Sequence, residues 1–116
     1  MGAPPFRRPL RPPDFEARIA YLPGGAGGPT KPVYSGLRAA HDFGVAGTLY
    51  DAMHEYLDND SAQPGAEARA YVYLLAPEFQ KGRLYPGFRF TVQDGPKIVG
   101  HGEIVAVLNP ELARDS

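Results

Sequence analysis

The sequence predicts an all-β domain, a small barrel or sandwich, and three observations predict it. Apolar and polar side chains alternate over short runs, the period of a half-buried strand. Glycine (14 residues) and proline (13 residues) both exceed ordinary usage and punctuate those runs. The longest β-branched run, Lys97-Ile-Val-Gly-His-Gly-Glu-Ile-Val-Ala-Val-Leu108, follows an Asp94-Gly95-Pro96-Lys97 turn and reads as the second strand of a hairpin. At 116 residues, one domain with a genuine core is expected.

Residues 1–13, with five prolines and three arginines, have the composition of an extended, disordered tail. Pro9 and Pro12 form a PxxP there. Strand alternation begins at Asp14: Phe15, Ala17, Ile19 and Tyr21 take one face, and Glu16, Arg18 and Ala20 the other. Residues 23–32, PGGAGGPTKP, read as a flexible loop between strands. They are no Walker A loop, because Lys31 follows Thr30 and precedes Pro32 instead of opening a helix as Gly-Lys-Ser/Thr. Leu49, Met53 and Leu57 stand at helical spacing behind Thr48-x-x-Asp51, which predicts a short helical turn near 50–58 after a brief strand through Leu49 or Tyr50. Ala68, Ala70, Val72 and Leu74 then alternate against Arg69, Tyr71 and Tyr73, ending before Pro77. Phe88, Phe90 and Val92 give the first strand of the hairpin, with Arg89, Thr91 and Gln93 opposite. The barrel is thus assigned to 14–110, with a C-terminal tail at 111–116.

Composition bounds the function. With no cysteine there is neither a disulfide framework nor a thiolate site, and no apolar run approaches a membrane span, so a cytoplasmic protein without membrane contact is expected. Net charge is −1 but uneven. Asp42, Asp51, Glu55, Asp58, Asp60 and Glu67 occur between 42 and 67 with no Lys or Arg, leaving 12 bases and 7 acids elsewhere. Such a bipolar chain is not a general nucleic-acid binder.

No catalytic constellation emerges. His41, His54 and His101 stand in no metal-ligand spacing, and Asp58-Asn-Asp-Ser61 departs from a calcium loop, with Gln63 at its sixth position and Arg69 at its twelfth. Serines occur only at 35, 61 and 116, without a nucleophile elbow. His101 between Gly100 and Gly102 reads as a mid-strand residue, its glycines marking close backbone approach or a bulge. Neither an enzyme nor a cofactor is expected.

Taken together, the segments resemble the C-terminal β-barrel domain, domain 3, of elongation factor Tu. Residues 87–108 carry the pattern most fully: Gly-apolar-Arg-Phe, an acidic-Gly turn, a basic residue, Val-Gly-x-Gly and Val-x-x-Val-Leu. Upstream, FEARIAYL is similar to the family's first strand, YSGLR to its aromatic-x-Gly-x-Arg turn, VAGTL to its Val-Thr-Gly-Thr strand, and QPGAEARAYVYL to its Pro-Gly-Asp strand. The resemblance implies a six-stranded antiparallel Greek-key barrel that is not catalytic, since GTP binding and hydrolysis belong to a separate P-loop domain. It further implies contacts with the T-stem of tRNA, with an exchange factor or with other protein domains. Of the family's tRNA-facing side chains, the Gln after the Gly-x-Arg turn falls at Ala40 and the Thr before Gly-Thr at Ala46, both without the polar group. The turn's Glu falls at Asp94, and its basic residue at Lys97.

These readings lead to a stand-alone, non-catalytic protein-binding module, of decoy or immunity type, for a basic or translation-associated partner. Its expected contacts are Asp51, Glu55, Asp58 and Asp60 of the acidic segment, with Arg38, Asp94 and Lys97. Retained tRNA or RNA binding through Arg38, Lys97 and the arginine-rich tail is the alternative, disfavoured by the acidic segment.

Overall fold

A computed structural model describes residues 6–115. Eight strands follow in order: β1 (Phe15–Tyr21), β2 (Val33–Tyr34), β3 (Arg38–Asp42), β4 (Tyr50–Tyr56), β5 (Ser61–Ala62), β6 (Glu67–Leu74), β7 (Arg89–Asp94) and β8 (Lys97–Val107). Six of them close an antiparallel barrel in the order β1-β6-β4-β3-β7-β8, and β2 pairs with β5 in a separate ribbon. Strands β3, β4 and β6 form a meander, and β7 returns to lie beside β3, which is a Greek key. Closure through β1 against β8 leaves the barrel without a free edge. The all-β barrel expected from the alternation is observed, with the six antiparallel strands that the resemblance implies.

The inward faces are those the period of two assigns. Phe15, Ala17, Ile19 and Tyr21 of β1 are buried, as are Ala70, Val72 and Leu74 of β6 and Phe90 and Val92 of β7. At one end Phe15, Phe43 and Phe90 pack with ring centroids 5.4–6.2 Å apart, in the edge-on and tilted arrangements aromatic quadrupoles favour. Gly102 is required by this packing: a Cβ there would stand 2.2 Å from the Phe90 ring. At Gly100 a Cβ would stand 3.1 Å from the Tyr21 ring, and the β7–β8 register slips nearby, between Val92 and Gln93. The turn between β7 and β8 has two central residues, and Gly95 takes the left-handed φ of 60° that so tight a hairpin demands at its first.

Three expectations are corrected. The helical turn near 50–58 is strand β4 through Tyr56, followed by a tight turn at 57–60 in which Asp60 has a φ of 55°. A spacing of four is also a multiple of two, so Leu49, Met53 and Leu57 are equally compatible with one side of a strand. Residues 6–13 of the tail have no regular structure but lie on the barrel, with Arg8 and Arg11 bonded to it; residues 1–5 lie outside the described residues. The boundary at 110 moves outward, because Leu112 is buried in the core and Ala113 bridges to Leu84.

Candidate functional site

The sequence-derived contacts gather at two neighbouring places, joined through Arg38. The first is a cleft of about 470 Å³ at the barrel end where β1 finishes. Arg38 at the start of β3 and Asp94 and Lys97 across the hairpin turn all line it, beside Gly28 and Pro29 of the glycine-rich loop. Of the resemblance-derived positions, Arg38, Ala40, Asp94 and Lys97 thus converge, while Ala46 lines a separate hollow beside Asp42 and Thr48. Arg38 lies 3.4 Å from Asp51 across the β3–β4 pair, and Asp94 is directly opposite Lys97 in the ladder, so the cleft carries charges of both signs. Ala40, also in the lining, offers no side-chain polar group.

The floor of this cleft includes Tyr21, and behind it runs a buried polar chain that sequence reasoning missed. The Tyr21 and Tyr56 hydroxyls are 2.6 Å apart, and His54 Nδ1 is 3.0 Å from Tyr56 and 3.3 Å from Tyr21. His54 Nε2 is 2.7 Å from His41 Nε2, and His41 Nδ1 is 2.9 Å from the Ala39 carbonyl. One assignment of protons satisfies every group. His41 Nδ1–H donates to Ala39, which leaves its Nε2 to accept from His54 Nε2–H; Tyr56 O–H then donates to His54 Nδ1, and Tyr21 O–H to Tyr56. Burial pushes His41 down to about 4 and, with His41 alongside, holds His54 well below the ordinary histidine value. Burial likewise lifts Tyr21 to about 12, opposed by the hydrogen bond with Tyr56. Tyr56 is also raised, by burial and then by Tyr21. Each of these four groups thus holds one protonation state at neutral pH, so the chain is a neutral structural spine with no group poised for proton transfer there. His101 is apart from it, exposed on the outer face of β8.

The second place is the acidic segment. Asp51, Asp58 and Asp60 are exposed, with Asp60 accepting the Ser35 hydroxyl at 3.0 Å. Glu55, expected at the surface with them, is instead buried although it points outward from β4. What covers it is the 6–13 segment. Arg8 grips the carboxylate with Nε at 3.1–3.2 Å and Nη2 at 2.8 Å, and the Tyr73 hydroxyl donates to the same group at 2.7 Å. Burial, and next the bond to Glu55, push the Tyr73 phenol up to about 12. Three residues on, Arg11 donates to Asp14 at 3.0 Å and to the Leu74 carbonyl. The two guanidinium carbons stand 5.9 Å from the rings of Tyr71 and Tyr73. Tyr71 directly opposes Glu55 in the β4–β6 ladder, and Tyr73 opposes Met53, so adjacent cross-strand pairs wall the groove.

The fold and these two places define a closed six-stranded β-barrel with a charged cleft at one end and an arginine-filled groove on its side. The sequence matches no known family model and no curated protein. No helix among the described residues is long and apolar enough to cross a membrane.

Proposed function

We propose that this chain is a non-catalytic protein-binding module, a relative of the C-terminal barrel of elongation factor Tu that recognises a basic, translation-associated partner. The observation that carries this reading is Glu55, one carboxylate of the acidic segment, holding a guanidinium by a bidentate, charge-assisted contact. Asp58 and Asp60 project from the adjoining turn, where they would speed encounter with a cationic surface. Relationship to the elongation factor is supported by the Greek-key order of the strands and by the hairpin turn falling at Asp94–Lys97, where the resemblance places it.

Affinity purification of the tagged full chain from its own cells at moderate salt is the test. Recovery of a basic or translation-associated protein that is lost in a D51N/D58N/D60N variant is expected, and recovery of none overturns the reading. The alternative, tRNA binding, is favoured by one observation, the convergence of Arg38, Asp94 and Lys97 on the cleft. Counterion release from phosphates needs net positive charge, which Asp51 and Asp94 reduce here. Filter binding at low salt with no retained tRNA disposes of it.

A further inference from the structure

We infer that the groove between β4 and β6 is a receptor for an extended, arginine-bearing peptide segment of a partner protein, and that residues 6–13 occupy it as a built-in competitor. The inference deepens the protein-binding reading and rests on it.

A carboxylate whose side chain is only 11% exposed, such as Glu55, is costly to desolvate unless it is paired. Its hydrogen-bond partners are the Tyr73 hydroxyl and Arg8. Tyr73 neutralises no charge, so the cation must come from whatever lies in the groove. Arg8 itself remains 61% exposed, and Arg11 44%. The receptor side is therefore enclosed once the segment docks, while the ligand side is a surface strand of chain held at its guanidinium tips. Such asymmetry belongs to a binding site and its peptide more than to a core ion pair.

The docked segment also specifies what fits. The Phe6 ring lies 3.4 Å from where a Cβ on Gly36 would stand, in the turn beside the groove. Arg8 meets Glu55 and Tyr71, and Arg11 meets Tyr73, Asp14 and the Leu74 carbonyl. Leu10 points fully into solvent between them. The pattern read is aromatic-x-Arg-x-x-Arg in an extended conformation, which Pro9 and Pro12 favour. Planar guanidinium groups suit the site because Glu55 is addressed through two nitrogens and the tyrosines offer ring faces.

In trans, a partner's segment must displace the resident one, so its apparent affinity is reduced by the fraction of molecules with the groove open. The test uses full-length protein and a capped peptide of residues 6–13, Phe-Arg-Arg-Pro-Leu-Arg-Pro-Pro. The R8A/R11A protein, whose groove has lost its resident arginines, is expected to bind this peptide about tenfold more tightly than wild type. Adding E55Q to that protein is expected to weaken binding by about tenfold, as is replacing both contacting arginines of the peptide by lysine. Should R8A/R11A not fold, R8A alone, which keeps the Arg11 contacts, is titrated in its place. A folded R8A/R11A or R8A protein that ignores the peptide, or binds the lysine peptide equally well, overturns the inference. So does a wild-type dimer that exchanges its 6–13 segments, which would assign the groove to a second copy. The wider module reading would survive that failure if affinity purification still returned a basic partner.

Discussion

The barrel interior and the groove on its flank solve the same problem, polar atoms out of water, in opposite ways. Inside, Tyr21, Tyr56, His54 and His41 pass neutral hydrogen bonds down a line that ends on a backbone carbonyl, and every donor finds its acceptor within the barrel wall. On the flank, Glu55 carries a formal charge that the barrel itself does not balance, and a separate piece of chain completes it. A closed network contributes to the uniqueness of the fold, whereas an open one invites a ligand. The two regions thus differ in where their polar partners come from: the barrel wall itself in one, the 6–13 segment in the other.

The comparison is broken most forcefully from inside. His54→Leu strands the Tyr56 hydroxyl and the His41 Nε2 in the core, and urea unfolding should show a loss of about 3 kcal/mol. Acid should act on the same line. His41 is neutral when folded, with a value near 4 against 6.5 unfolded, so the unfolded chain binds more protons between those limits. Its contribution is therefore complete above pH 6.5 and is lost as pH falls toward 4, amounting to about 2 kcal/mol by pH 5. Urea melts of equal midpoint at pH 7 and pH 5 would contradict this.

Smaller effects are expected on the flank. Glu55→Ala leaves the Tyr73 hydroxyl unpartnered and should cost roughly 1–2 kcal/mol by the same urea measurement. Arg8→Ala should lower the midpoint by less than the His54 change, and raising salt should shrink the difference between it and wild type, since the Arg8 end of the pair is solvent-exposed. Lys97→Ala, at the exposed hairpin turn, should stay within about 0.5 kcal/mol of wild type. A larger loss would mean that the turn bears on stability.

Much of the barrel was legible because its inner faces are apolar. Strands β1, β6 and β7 announce themselves by alternation, and Gly100 and Gly102 signal a tight place in β8, although what crowds them is the rings of Tyr21 and Phe90. Strand β4 was not legible, because its inner face is Ala52, His54 and Tyr56, two of them polar, while Leu49, Met53 and Leu57 imitate a helical stripe. The buried histidine–tyrosine line was hidden for the same reason: His41 and His54 were weighed as metal ligands by their spacing along the chain, and only the β3–β4 pairing brings them together. At the candidate sites, the convergence of Arg38, Asp94 and Lys97 was within reach of the resemblance. Glu55 is among the expected contacts, but its burial was not foreseeable. An acid at an outward strand position is ordinarily solvated, and what encloses this one is a proline-rich segment whose composition reads as disorder. The paired arginines at 8 and 11, set opposite a carboxylate within an acidic stretch, were the available signal.

The seam that closes the barrel also governs how the protein is made. Strand β1 is hydrogen-bonded to β8, and the Asp14 carbonyl accepts from both Leu108 and Asn109, so the first strand waits roughly 85 residues of synthesis for its second partner. A nascent chain lacking β8 presents β1 and β7 as two open edges at once, each a template for pairing with a neighbour. Completion of the barrel must therefore follow emergence of β8 from the ribosome, and until then both edges stand open to pairing.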